Sequence, residues 1–326
     1  MKKIAVFTSG GDAPGMNACV RAVVRSAIFH KLEIMGIVRG YEGMIDGDFI
    51  PLDARSVSNI IHLGGTILKS ARSDRFRTEA GRVQAFEHLK KHKIDGVIAI
   101  GGDGTFKGAS IFSKEHAIPF IGIPGTIDND MYGTDFTIGY DTALNTAIDA
   151  IDKIRDTASA HDRLFFVEVM GRDAGFLALM SGIASGAEGI LVPEFETNLQ
   201  GLVKDLELGN SEGKSSSIVV VAEGDDEGGA FEIAKKVKGH LSDKFEIKVT
   251  ILGHIQRGGR PTCMDRVLAS RLGVAAVQAL MDGKSNMMVG QINGDIVETQ
   301  FSKAVKYNHM LDENIVKMVR MLAFCE

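Results

Sequence analysis

Cysteine is scarce in this chain of 326 residues: Cys19, Cys263 and Cys325 are odd in number and far apart. That spacing excludes a disulfide framework and a zinc cluster, and it points to a reducing, cytoplasmic compartment. No apolar run approaches the roughly 18 residues of a spanning helix, so no membrane segment is expected. Lys2 and Lys3 precede an apolar Ile4 to Phe7, but Thr8, Ser9, Gly10 and Gly11 end the run too soon for an export signal. Basic charge is not in excess either. Lys and Arg total 37 against 42 Asp and Glu, a net charge of -5, which gives no general attraction for nucleic acid or an anionic membrane. Any anionic ligand must be held by positive groups clustered locally. Proline-rich or serine-rich linkers, low-complexity tracts and repeats of fixed period are all lacking.

The chain is 44% hydrophobic and 24% charged, the balance of a soluble globule with ample core. Short β-branched runs at 4–8, 33–38, 96–100, 120–123, 164–169, 189–192, 217–222 and 248–252 show no polar alternation, as in strands buried on both faces. Between them, Leu144, Ile148, Ile151 and Ile154 recur at helical spacing, as do Ala269, Leu272, Ala276 and Leu280. This order predicts an α/β protein with mainly parallel sheets and crossover helices. A boundary is expected near Gly139, and 209–217 reads as an exposed polar connection.

Three predicted strands run straight into glycine and aspartate. One leads into Gly10-Gly11-Asp12-Ala13-Pro14-Gly15-Met16-Asn17, one into Gly101-Gly102-Asp103-Gly104-Thr105, and one into Pro124-Gly125-Thr126-Ile127-Asp128-Asn129-Asp130. Ligands of open α/β sheets bind outside strand carboxyl ends, where glycine lets backbone N–H groups approach phosphate oxygens. Any one such loop alone is also a common tight turn; three together describe a nucleotide-phosphate site. None has the Lys-Ser/Thr of a Walker loop, and Lys107 stands where a dinucleotide fingerprint needs its third glycine. The aspartates suit phosphoryl transfer, Asp103 as a Mg²⁺ ligand and Asp128 as acceptor of a hydroxyl proton. Asp12 reads as a turn or capping residue, and Asp130 as either a turn carboxylate or an orienter of metal-bound water.

These three loops, with Met170-Gly171-Arg172 and Gly253-His254-Ile255-Gln256-Arg257-Gly258-Gly259, resemble bacterial 6-phosphofructokinase along nearly the whole chain. The resemblance implies a phosphofructokinase fold of two Rossmann-like three-layer domains. A larger ATP-binding domain would comprise 1–139 and about 256–306; a smaller fructose 6-phosphate domain, 140–255 and about 307–326. It implies ATP-dependent phosphorylation of fructose 6-phosphate at the 1-hydroxyl, a step of glycolysis, with Mg²⁺. Asp128 would be the general base, with Thr126, Arg172 and the N–H of Gly11 stabilising the phosphoryl group. Gly11, Tyr41, Arg72, Ser73, Gly102, Asp103, Gly104, Thr105 and Gly108 would bind ATP. Met170, Gly171, Glu223, His254 and Arg257 would hold the sugar phosphate, joined by Arg163 and Lys248 from a neighbouring subunit of a homotetramer.

Arg21 and Arg25 share one helical face. By resemblance they belong, with Arg155, Gly186, Glu188 and Lys214, to an effector site for ADP or phosphoenolpyruvate. Three positions depart from the family: Lys248 stands where arginine is frequent, Ala54 likewise, and Glu212 where lysine is frequent. Lys248 loses the bidentate fork, which modestly tunes sugar-phosphate affinity. Two missing positive charges predict a weakened regulatory site. Pyrophosphate-using relatives carry aspartate and lysine where this chain has Gly104 and Gly125, so ATP is the expected donor. A catalytically silent sugar-phosphate sensor is the reading from another class; it expects a missing base or metal ligand, yet Asp128 and Asp103 are both present.

Overall fold

The computed structural model describes the chain except for residues 161–162, 212–213, 215, 242–245, 308–309, 313, 316–317, 319–320 and 323–326. In chain order the strands are β1 Lys3–Thr8, β2 Glu33–Ile37, β3 Phe49–Leu52, β4 Gly96–Gly101, β5 Phe120–Pro124, β6 Arg163–Val169, β7 Gly189–Leu191, β8 Ser217–Ala222, β9 Glu246–Ile251, β10 Met287–Ile292 and β11 Asp295–Gln300. The helices are α1 Met16–Phe29, α2 Gly40–Asp46, α3 Glu79–Lys91, α4 Asp103–His116, α5 Tyr140–Ala158, α6 Phe176–Ala184, α7 Leu199–Ser211, α8 Ala230–Lys238, α9 Cys263–Met281 and α10 Phe301–Ala304. Two compact units result. Met1–Ile127, Met131–Thr142 and Arg257–His309 form the larger; Asp128–Asp130, Ala143–Gln256 and Met310–Glu326 form the smaller.

The larger unit is built on a seven-stranded sheet ordered β11-β10-β5-β4-β1-β2-β3. Every residue of β4 and β5 is buried, as is all of β1 beyond Lys3, which is why these runs carry no polar alternation. Phe7, Tyr41, Phe76, Phe106, Phe112, Phe120 and Phe301 belong to the core packed against the sheet. The chain passes from β1 to β2 on one side, while β4 and β5 lie on the other, so the strand order reverses at the β1–β4 pair. A crevice outside the carboxyl ends at such a point is where open α/β sheets bind ligands.

The mainly parallel sheet expected from the sequence is present, with antiparallel pairs at both edges, β2 with β3 and β10 with β11. β3, β10 and β11 have no counterpart among the strands expected from the sequence. β3 contains Pro51 and buries only Leu52, as an edge strand allows, so it offers no continuous apolar run. The β10–β11 hairpin turns at Asn293 and Gly294, whose φ values are 50° and 89°. That Asn-Gly pair is the sequence signal for a type I′ turn.

The smaller unit carries a four-stranded parallel sheet ordered β7-β8-β6-β9. Leu164 and Phe166 of β6, Val219 and Val221 of β8, and Ile233 and Val237 of α8 share its core. The connection expected over 209–217 is shorter than predicted: α7 continues to Ser211 because Leu202, Leu206 and Gly209 fall on one buried helical face. Since β6 lies between β8 and β9, the loops leaving these three strands are neighbours. Among the described residues no helix is long and apolar enough to cross a membrane.

Candidate active site

In the larger unit the first two glycine loops and the start of the third, at Gly125, meet at the reversal between β1 and β4. The N–H of Ser9 donates to Ile100 O at 2.9 Å, and that of Gly125 to Gly101 O at 3.1 Å. A Cβ on Gly101 would lie 2.5 Å from Thr105 Oγ1 and 2.6 Å from Ser9 O, so only glycine lets these turns close on one another. Gly102 is the N-cap of α4, and Asp103, Gly104 and Thr105 form its first turn. The dipole of such a helix start favours phosphate. Asp103 Oδ1 accepts the N–H of Gly104 at 2.6 Å, and Oδ2 pairs with Lys107 Nζ at 2.9 Å.

Around this turn Tyr41 is buried. Its hydroxyl donates to Thr105 O at 2.6 Å, and its ring stacks on Phe76 at 3.9 Å. Burial pushes its phenol well above the ordinary range, so it serves as a neutral donor. A Cβ on Gly108 would touch that ring at 3.1 Å. Ser73 donates to Glu42, and Arg72 is exposed beside it. Gly104 is different: a Cβ there meets nothing within 4 Å, whereas one on Gly125 would press Ile100 at 3.1 Å and Met16 at 3.3 Å.

Arg257 reaches the first glycine loop. Its Nη1 donates to Asp12 O at 3.3 Å, and a Cβ on Gly11 would collide with that guanidinium at 2.6 Å. Arg257 thus lies over Gly11 as a clamp on an anion held there would. The Thr126–Asp128 segment is nearly closed to solvent, Thr126 being 8% and Asp128 7% exposed, and the Thr126 carbonyl accepts the Thr137 hydroxyl at 2.6 Å.

In the smaller unit Met170, Gly171 and Arg172 follow β6, Glu223 follows β8, and His254 follows β9. Glu223 Oε1 accepts the N–H groups of Gly171 at 3.3 Å and Arg172 at 2.6 Å. Arg172 sits at φ 57°, Gly171 at φ 145°, and a Cβ on Gly171 would clash with Ala174 O at 2.3 Å. The buried Gln256 accepts the N–H of Met170 at 2.9 Å. Gln256 stands inside the glycine-rich motif at 253–259 but is not among the residues expected there from the sequence.

Arg163 and Lys248 are not with this group. They lie toward the amino ends of β6 and β9, where Glu246 bridges Arg163 Nε at 2.8 Å and Lys248 Nζ at 2.6 Å. Hydrogen bonds from Arg163 and then Lys248 hold the Glu246 carboxyl down at about 2. Of the effector set, Arg155, Gly186, Glu188 and Lys214 assemble in the smaller unit. Arg155 Nη2 donates to Ser185 O at 2.8 Å and Gly186 O at 2.9 Å, while Glu188 Oε1 lies 3.9 Å from Arg155 and 4.0 Å from Lys214. Arg21 and Arg25 are on α1 of the larger unit. Ala54 is exposed, and Glu212 lies outside the described residues.

Asp265, in the first turn of α9, has no site role legible in the sequence. It is 1% exposed, and its carboxylate accepts the N–H of Gly139 at 2.7 Å, the N–H of Thr142 at 2.8 Å and the Thr142 hydroxyl. Thr262-x-x-Asp265 is a readable capping pattern, but it announces only the start of α9.

A family model for phosphofructokinase matches residues 3–280. The chain is 55% identical over 322 residues to an ATP-dependent 6-phosphofructokinase of Cytophaga hutchinsonii, covering 99% of this chain and 98% of that one. It is 54% identical over 323 residues to ATP-dependent 6-phosphofructokinase 1 of Thermus thermophilus, covering 99% and 100%. Among solved structures, phosphofructokinase of Pichia pastoris in the T-state superposes with a TM-score of 0.88 at 38% identity, covering 93% of this chain; this chain spans only 35% of that one. A pyrophosphate-dependent phosphofructokinase of Marinobacter aquaeolei shares the fold, with a TM-score of 0.84 at 23% identity over 96% of this chain and 86% of that one.

Proposed function

The chain belongs to the phosphofructokinase family, and on that premise we propose how its residues divide the work of ATP-dependent 6-phosphofructokinase. The terminal phosphoryl group of ATP passes to the 1-hydroxyl of fructose 6-phosphate, giving fructose 1,6-bisphosphate and ADP. The observation that carries this reading is the closure of the first two glycine loops and the start of the third on one sheet crevice with Arg257 over Gly11.

Asp128 accepts the proton of the attacking hydroxyl, and direct transfer needs no covalent phosphoenzyme. Thr126, Arg172 and the Gly11 N–H stabilise the charge on the group in transit. The α4 start from Gly102 to Thr105, with Gly108, Ser73 and Arg72, binds the nucleotide, and Tyr41 holds that turn from the core side. Asp103 suits Mg²⁺: it is a single carboxylate at the head of the phosphate-binding helix, its side chain 36% exposed and its charge balanced by the flexible Lys107. One carboxylate plus phosphate oxygens is the donor set Mg²⁺ takes, and the ion shields phosphate charge when bound. Met170, Gly171, Glu223, His254 and Arg257 hold the sugar phosphate. Arg163 and Lys248 lie at the other end of the strands that lead to Arg172 and His254, which supports a role for them in a neighbouring subunit's site within a homotetramer. Arg155, Gly186, Glu188 and Lys214 supply an effector site in the smaller unit. A glycolytic kinase draws on the ATP pool of the cytoplasm, and this supports a cytoplasmic enzyme.

The decisive test is Asp128→Asn. Loss of a positioned base lowers kcat by about 100-fold to 10,000-fold, measured with ATP and fructose 6-phosphate in a coupled assay. Wild-type kcat would refute the assignment.

A further inference from the structure

We propose that Asp265 is a positioning residue for the phosphoryl-transfer step, holding in register the strand end of the larger unit that carries Thr126, two residues before Asp128. The inference rests on the reading of Asp128 as base. Its ground is a continuous set of contacts in the larger unit. Asp265 caps the N-terminus of α5 from a different helix, taking the N–H groups of Gly139 and Thr142. Just before that helix, Ile138 pairs with Gly125 in a parallel bridge, its N–H donating to Pro124 O at 3.0 Å. Thr137, fully buried, donates its hydroxyl to Thr126 O at 2.6 Å. Residues 137–142 are therefore stitched to 124–126 on one side and to Asp265 on the other.

The first glycine loop is tied to the same point. Gly15 at φ 106° has room for no side chain, because a Cβ would lie 2.7 Å from Ile138 and 3.5 Å from Asp265 Cβ. Gly139 at φ 103° likewise faces Ala13 at 2.6 Å. Thr262, the N-cap of α9, completes the junction: its hydroxyl donates to Asp141 at 2.5 Å, and its N–H donates to Thr142 Oγ1 at 3.0 Å. The segment after Arg257 is thus fastened where the other two loops meet. A buried carboxylate is costly, and this one is matched by donors from two directions. Only an acceptor with two oxygens takes all of them, so neither alanine nor asparagine reproduces the set.

A displacement of about 1 Å at a reacting group costs about 100-fold in rate, whereas the nucleotide-binding turn of α4 is held from the core side by Tyr41. Asp265→Ala is therefore expected to lower kcat by about 30-fold or more, with the KM for ATP within about twofold of wild type. Asp265→Asn retains one acceptor for Gly139 and recovers part of the lost kcat. Thr137→Val, which removes only the bond to Thr126 O, lowers kcat by about tenfold without a matching fall in thermal midpoint. Folded fraction is measured for every variant by circular dichroism, and Thr137→Val keeps the question open to test if Asp265→Ala does not fold. Wild-type kcat in folded Asp265→Asn and Thr137→Val, or losses that track the folded fraction alone, overturn the inference. Asp128→Asn is assayed alongside: activity there sinks the base assignment itself, whereas an inactive Asp128→Asn beside fully active Asp265 and Thr137 variants sinks only the positioning role.

Discussion

A Cβ on Gly104 meets open space, while one on Gly125 is pressed by Ile100 and Met16. The two glycines that separate ATP from pyrophosphate use by resemblance are thus physically unlike. Gly104→Asp leaves the fold undisturbed and adds a carboxylate beside the bound phosphates, a repulsion on the order of 3 kcal/mol. We expect kcat/KM for ATP to fall about 100-fold in a donor assay run with ATP and with pyrophosphate; unchanged ATP turnover would contradict the argument. Gly125→Lys confounds donor choice with repacking and is the poorer experiment. Lys248, in place of a frequent arginine, is held with Arg163 by one carboxylate, Glu246, so the charge is kept while the fork is not.

At the level of elements, α5 begins under a cap borrowed from α9. Burial pushes the Asp265 carboxyl up to about 6, against the opposing pull of its hydrogen bonds to Thr142 and Gly139 and with Asp141 adding to the rise. A carboxyl with a raised value in the folded state binds its proton more tightly there than when unfolded. Its contribution to stability is full below the unfolded value and is lost as pH rises through about 6. The stability of the wild type relative to Asp265→Asn should accordingly grow by about 1 kcal/mol between pH 7 and pH 5. Urea unfolding of both proteins at the two pH values measures this, and a gap that is flat or shrinks on acidification would refute it.

For the whole molecule, the placement of Arg163 and Lys248 away from Arg172, Glu223 and His254 has a consequence in solution. If these cations serve a neighbour's site, an Arg163→Ala chain still supplies Asp128, and an Asp128→Asn chain still supplies Arg163. Mixing the two inactive variants after dissociation and reassembly should restore activity that neither shows alone. No recovery in verified mixed oligomers would place both residues in one chain's site. Regulation belongs to the same scale. Arg155 and Lys214 already share Glu188, and the positive charges frequent at 54 and 212 are missing. Phosphoenolpyruvate is expected to inhibit weakly in steady-state assays, and strong inhibition would show the site intact.

The sequence by itself determined the alternation of central strands with helices and the three glycine turns, because buried strands and phosphate loops leave local signatures. The Gly-Gly-Asp-Gly-Thr turn needs no distant information to be legible. Edge strands are harder: β3 buries only Leu52 and β11 buries no residue, so neither needs an apolar run. Tertiary structure alone decided that Asp265 caps a helix 123 residues away in sequence, that Tyr41 supports Thr105 from the core, and that Arg163 pairs with Glu246 at the start of β6 while Arg172 follows its far end. The physical reason is that a hydrogen bond or a guanidinium's reach depends on distance in space, which sequence spacing encodes only within a turn or two of the same element.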